Sequence, residues 1–319
     1  MSNLQRNSIK IAFVIIGALL FAYFAGKTGW QRIADTIHDH ALLLIALIVV
    51  FTLYHFLRTF TLQLCIPAPT NFWHVFNFRL AGEAFAYLTI GTIAGEFVKI
   101  AMARDRLSAS DAATGIFAEK LIYALSGAAF IISGLFAAVF IFGKNLMILS
   151  AISVLTVGFI TLLYLMSSGI RPFTSLLKRY QNKPFFQTLI RTEESLFRFR
   201  TLYPKRFLAV FLLNFVSFFY PVIETGFIFR ALGYDMNFLQ LWYLQAVLKI
   251  ANTANMILPA NIGIFEAAHV FVTKQLMMGT APGMLVAIIV RIRAIAWSLI
   301  GYLVFVYLLH KRKQYNQPL

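Results

Sequence analysis

Apolar runs of roughly 20 residues, the length at which a helix crosses about 30 Å of hydrocarbon, recur along this chain. Five lack any basic residue: Ile11 to Gly26, Ala41 to Leu57, Leu121 to Phe142, Leu146 to Met166 and Phe207 to Phe229, the last holding one acid, Glu224. Another, Met284 to Leu309, carries Arg291 and Arg293 near its start and closes on His310, Lys311, Arg312 and Lys313, a stop-transfer pattern. The first run is expected to be an uncleaved anchor, because Lys27 and Arg32 follow it and no small-x-small cleavage site does.

Two further apolar stretches, Asn71 to Met102 and Phe238 to Met278, are interrupted midway by small residues and turn formers. The first break runs Thr89-Ile90-Gly91-Thr92-Ile93-Ala94-Gly95-Glu96, the second Pro259-Ala260-Asn261-Ile262-Gly263-Ile264-Phe265-Glu266. Each spans the same interval and ends in glutamate, and each precedes a long glycine-containing helix with charges near its start. Irregular backbone at membrane depth survives only inside protein or beside a wet cavity, so both stretches are expected to be re-entrant hairpins.

Composition sharpens the class. Hydrophobic residues make up 60% of the chain and charged ones 13%, with a mean hydropathy of +0.77, too apolar for a soluble core. The net charge of +16 fits cytoplasmic loops beside anionic headgroups, and nucleic acid is not an expected partner. Cys65 is the only cysteine, which excludes an internal disulfide or a cysteine-built metal site.

The most basic loop, Gly169 to Arg206, holds Arg171, Lys178, Arg179, Lys183, Arg191, Arg198, Arg200, Lys205 and Arg206. Placed in the cytoplasm, it puts both termini there too, provided each hairpin returns to its side of entry. Phe185, Phe186, Leu189, Ile190, Leu196 and Phe197 fall near one helical face of this loop, which predicts an interfacial helix on the headgroups. The prediction is an all-α polytopic membrane protein with about six full spans and two opposed hairpins in an inverted repeat. Residues 1–144 form the first repeat, with hairpin 71–102 and long helix 111–142. Residues 145–319 form the second, with basic loop 169–206, hairpin 238–278 and last helix 284–309.

Ionisable groups at membrane depth are costly and seldom kept without use. Glu96 and Lys99 share a helical face at the first hairpin, and Glu119 and Lys120 lie on the helix after it. Glu266 and His269 repeat the spacing at the second hairpin, with Arg291 and Arg293 on its following helix. One reading is a polar cavity in which Lys99, Arg291 and the half-helix N-termini attract a phosphate while Glu96, Glu119 and Glu266 position the cations or accept protons. The other is internal ion pairing that only fixes packing. Glu224 and Lys249 are isolated candidates; Glu224 could pair with a neighbouring span and Arg230 could snorkel to an interface. Asn214, Asn252, Asn255 and Asn261 are candidates for lining a cavity or for bonds between helices.

Gly95-Glu96-Phe97-Val98-Lys99 through Glu119-Lys120, with Pro259 to Glu266 and Arg291 to Gly301, resembles the flippase-like transmembrane domain of lysylphosphatidylglycerol synthases. In the pattern P-G-x-x-G-E-x-x-R, Thr89 stands in the proline position and Lys99 in the arginine position. Pro259, Gly263 and Glu266 match P-x-x-x-G-x-x-E, Arg291 matches the later arginine, and Lys120 replaces the arginine of an E-R pair. The resemblance implies translocation of a phospholipid, polyprenyl phosphate or hopanoid-type lipid across a bacterial or archaeal cytoplasmic membrane. The charged residues at membrane depth predict a lipid partner with an anionic headgroup bound by Glu96, Lys99, Glu119, Lys120, Glu266, Arg291 and Arg293. Synthase activity is not expected, since no aminoacyl-transfer domain follows Leu319.

The chain has no H-E-x-x-H, G-x-S-x-G, Walker loop or dinucleotide glycine motif, so neither enzyme, ATP-driven pump, metal nor cofactor is expected. Two alternatives stay open. One is an intramembrane lipid-modifying enzyme using glutamate with His55, His74 or His269. The other is a non-transporting scaffold for a lipid-synthesis enzyme; for partners, a homo-oligomer or a lipid-synthesis enzyme is left open.

Overall fold

The computed structural model describes residues 19, 21–88, 93–169, 171, 174–175, 190, 193–194, 197–252 and 263–315. The chain is an all-α polytopic membrane protein. After a helical segment at 21–28 come α1 (Trp30–Asp39), α2 (Ala41–Cys65), α3 (Phe72–Leu88), α4 (Ile93–Ala103), α5 (Ala109–Phe142) and α6 (Leu146–Ser167). Then follow α7 (Pro204–Ser217), α8 (Phe219–Ala231), α9 (Phe238–Asn252), α10 (Ile264–Gln275) and α11 (Ala281–Tyr315).

Among the described residues, five segments are long and apolar enough to cross a bilayer: α2, α5, residues Leu146–Leu165 of α6, α7 with α8 as Pro204–Ala231, and Ala281–Lys311 of α11. Most of the expected first span lies outside the described residues. Several expected ends shift for physical reasons. The run ending at Leu57 continues to Cys65, because Arg58 is neutralised inside the protein and so does not stop the helix. The run Phe207 to Phe229 breaks at Phe218, whose N–H turns back to the Phe215 carbonyl at 3.2 Å. The last helix extends from Ala281 to Tyr315 rather than over 284–309.

Both interrupted stretches are helix pairs. The described arms have 17 and 11 residues in the first, and 15 and 12 in the second. α3 and α4 touch at Gly95, where an added Cβ would collide with the Gly82 carbonyl oxygen and the Ala86 side chain. α9 packs on α10, and the Tyr243 hydroxyl donates to Gln275 at 2.7 Å. The tips, Thr89–Thr92 and Pro259–Ile262, lie outside the described residues.

The chain divides into two compact units, each drawing on both halves of the sequence. The first comprises Met1–Leu53, Asn77–Val98 and Pro221–Leu319. In its core Ala25 and Ile33 meet Val270, Met284 and Leu285, so residues 21–28 and α1 close over α10 and α11. A Cβ at Gly283 would sit 2.7 Å from the His269 carbonyl oxygen and 2.6 Å from Thr273 Oγ1, so only glycine lets α10 and α11 approach this closely.

The second unit comprises Tyr54–Phe76 and Lys99–Tyr220. Here α5 packs on both α6 and α7. Ser126 Oγ donates to the Phe211 carbonyl across that contact at 3.0 Å, while Phe130 meets Phe215, Phe218 and Phe219 edge-on or tilted. Only 6% of the α6 span is buried, which leaves Leu146, Val154, Val157 and Ile160 for lipid. The expected interfacial helix over 185–198 falls mainly outside the described residues. Phe197, expected on the headgroup face, instead packs in the core with Cys65, Ala118, Ile122, Phe199 and Val210, where most of its ring is covered by protein.

Gly283→Leu should separate α10 from α11 and lower the thermal midpoint of the purified protein by several degrees, as overpacking costs about 1 to 3 kcal/mol. An unchanged midpoint in size-exclusion thermal profiling would refute the contact.

Candidate functional site

In the first unit the second hairpin supplies the most enclosed acid. Glu266 lies in the first turn of α10 and is fully buried. Gly263, at φ 85°, takes the left-handed conformation that starts this helix, and its N–H donates to Glu266 Oε2 at 2.8 Å. Arg291 Nε of α11 donates to Oε1 at 2.5 Å. The same guanidinium interacts electrostatically with the Tyr87 hydroxyl of α3 and lies 5.7 Å from the centre of the Phe265 ring. One cation thereby stands among three helices beside a carboxylate that already caps its own helix.

His269 sits one turn beyond Glu266 and is fully buried. Its Nδ1 donates to the Phe265 carbonyl at 3.0 Å, a bond that leaves Nε2 as the acceptor nitrogen. Nε2 has no hydrogen-bond partner among the described residues.

Arg293 turns to a different acid. Its Nε lies 2.8 Å from Glu224 Oε1 on α8, with both side chains buried, and its guanidinium stacks 3.6 Å from the Phe51 ring centre on α2. Trp297, one turn on, donates to the Ile48 carbonyl at 3.0 Å, a second tie between α11 and α2.

In the second unit Arg58 of α2 reaches Glu119 of α5 at 2.7 Å and donates to the Asn214 amide oxygen of α7. It also lies 3.9 Å from the Tyr123 ring centre. Again one guanidinium joins three helices with its charge matched.

Of the residues singled out from the sequence, Glu266 and Arg291 come together, Arg293 pairs with Glu224, and Glu119 pairs with Arg58. Glu96 and Lys99 are buried one turn apart on α4 and Lys120 is half-buried on α5. Sequence reasoning missed Arg58 and also Arg79, which pairs with Glu83 at 2.6 Å along α3. The signal for Arg58 was present, because Thr59 to Cys65 continues the run without a turn former. Of the histidines, His74 Nε2 bonds the Ala103 carbonyl at 3.3 Å. Among the described residues no group of three or more His, Cys, Asp or Glu could hold a metal ion.

Residues 8–301 match the family described as the lysylphosphatidylglycerol synthase TM region. The chain belongs to this family. The UPF0104 membrane protein of Archaeoglobus fulgidus is 22% identical over 310 residues, or 91% of this chain and 90% of its own length. No solved structure matches the chain. Membership in the lysylphosphatidylglycerol synthase TM family makes this a multi-pass membrane protein with a lipid-related role, and the match is to the transmembrane region of those synthases.

Breaking a buried pair leaves one charge uncompensated. Arg293→Leu should destabilise by about 3 to 5 kcal/mol, while Glu224→Leu combined with Arg293→Leu should recover most of that loss. Thermal midpoints of the three variants check this; equal losses in single and double variants would refute the pairing.

Proposed function

We propose that this protein moves a lipid with an anionic headgroup between the leaflets of a bacterial or archaeal cytoplasmic membrane, without ATP. The observation that carries the reading is the Glu266–Arg291 pair near Tyr87, beside His269, whose buried Nε2 has no hydrogen-bond partner among the described residues. In transport, Arg291 trades part of its contact with Glu266 for a lipid phosphate, and His269 Nε2 accepts a hydrogen bond from a headgroup hydroxyl. Glu266 stays anchored by the Gly263 N–H, so the cation is held in place as it changes partner. Glu96 of the same unit completes the polar lining, and the acyl chains stay in lipid.

Residues 1–144 and 145–319 form an inverted repeat in this reading. Support comes from element order: α2, the α3–α4 hairpin and long α5 are followed by the α7–α8 span, the α9–α10 hairpin and long α11. Inverted repeats with broken helices at the midplane are a transporter architecture. Both termini are cytoplasmic, by the charge of residues 169–206. A homo-oligomer or a lipid-synthesis enzyme is a compatible partner.

Reconstitution into liposomes with headgroup-labelled phospholipid or polyprenyl phosphate tests the proposal. Wild type should exchange label between leaflets. Arg291→Ala and Glu266→Gln should slow exchange by about tenfold or more, the effect of losing a charge-assisted contact of roughly 1.5 to 3 kcal/mol. Glu96→Gln should slow it as well. Variants that insert normally and exchange lipid at the wild-type rate would overturn the site, and no exchange of any lipid by wild type would overturn the transport reading.

A further inference from the structure

A cavity of about 240 Å³ lies at the C-terminal end of α8, within the first unit, and its walls include Ile223, Phe227, Arg230, Tyr234, Asp235 and Met236. None of these residues belongs to the buried ion pairs. The turn that shapes it is rigid. Gly233, at φ 79°, ends α8 with its N–H on the Arg230 carbonyl at 3.1 Å, while the Tyr234 N–H returns to the Phe229 carbonyl at 2.9 Å, the double bond of a Schellman cap. The Tyr234 hydroxyl accepts from Arg32 of α1 at 3.3 Å, and His40 Nε2 donates to the Ala231 carbonyl at 3.1 Å. Backbone and α1 together fix where Tyr234 and Asp235 stand.

The two charges on this cavity are exposed, and among the described residues neither Arg230 nor Asp235 has a side-chain partner, nor do they pair with each other. Ile223, Phe227 and Arg230 follow one another at intervals of four and three, so they form one stripe down the outer face of α8. Ile223 is 55% and Phe227 64% exposed, while Val222, Glu224, Thr225, Ile228 and Phe229 bury the opposite face. This stripe faces hydrocarbon and leads directly to the cation. Arg230 is in the last turn of the apolar span Pro204–Ala231, so the cavity lies at the end of that span.

From this arrangement we infer that the cavity binds the headgroup of a zwitterionic aminophospholipid. The phosphate contacts Arg230, the ammonium group donates to Asp235, and the acyl chains run along Ile223 and Phe227. Depth agrees with chemistry. Arg230 is in the last turn of the span and Asp235 lies beyond the cap, in the order in which phosphate and ammonium leave the hydrocarbon. An anionic headgroup would meet Asp235 as a like charge, and a free zwitterion would have no use for the apolar stripe. The site is independent of the proposed transport.

Native mass spectrometry of the delipidated full chain, titrated with phosphatidylethanolamine, phosphatidylcholine and phosphatidylglycerol, counts bound lipid rather than exchange. Wild type should retain phosphatidylethanolamine about fivefold better than the other two, the scale of one interfacial ion pair. Arg230→Ala should weaken retention of all three, and Asp235→Asn should remove only the preference for phosphatidylethanolamine. Both residues are exposed, and unchanged thermal midpoints would verify folding. Equal retention of the three lipids by wild type, or an undiminished preference in Asp235→Asn, would overturn the assignment.

Discussion

Opposite charge must accompany any ionised side chain held in hydrocarbon, and that requirement decides which helices of each unit touch. Apolar helix faces cannot decide it, since a leucine gains little by exchanging lipid for another leucine. An unmatched guanidinium costs several kcal/mol wherever it sits away from its partner. Arg293 therefore binds α11 to α8 through Glu224, Arg291 binds it to α10 through Glu266, and Arg58 binds α2 to α5 and α7 through Glu119 and Asn214. Aromatic rings over Arg58 and Arg293 add to the match without needing hydration.

Small residues allow these pairs to form at such short range. The carboxylate of Glu266 meets Arg291 because α10 lies almost against α11, and that approach exists because Gly283 has no Cβ to strike the His269 carbonyl. Gly301 serves α11 in the same way against the Leu80 carbonyl of α3, at 2.5 Å from an added Cβ, and Gly115 brings α5 onto Ile66 in the other unit. Polar pairs set which helices associate, and glycines set how near.

Much of the fold was legible for the same reasons that parts were not. Hydrophobic length alone identified α2, α5, α6 and α11, because the bilayer imposes a length that no loop imitates. The hairpins showed in the breaks before Glu96 and Glu266, where turn formers interrupt an apolar stretch. Pairing was harder. Glu266 and Arg291 could be grouped from their order along the repeat, but the choice of Glu224 for Arg293 depends on how α8 is rotated, and a helix apolar all round carries no stripe that fixes rotation. Arg58 was hidden by the rule that a charge closes a span, which fails when the charge has a buried partner. Phe197 was misplaced because an apolar face covering a protein core has the same period as one covering headgroups.

The proposed repeat gives the buried pairs different weights. Arg58 lies seven residues before the end of α2 at Cys65, and Glu224 lies seven before the end of α8 at Ala231. Their partners, Glu119 and Arg293, lie in the third and fourth turns of the long helix that closes each repeat. The same joint thus occurs in both halves with its charges exchanged. What such an exchange preserves is neutrality between two helices, which is the requirement of packing and places no demand on the sign at either position. Glu96 and Glu266 differ in this respect. Each falls in the first turn of the second hairpin arm, and both are acids. A helix N-terminus favours a carboxylate there, yet Ser, Asp or Asn would cap as well. Retention of the longer glutamate in both halves places the carboxylate where it can reach a cation on another helix, as Glu266 reaches Arg291. In the proposed transport, the sign-exchanged pairs are accordingly the frame, and the hairpin glutamates are the groups whose charge a passing headgroup would sense.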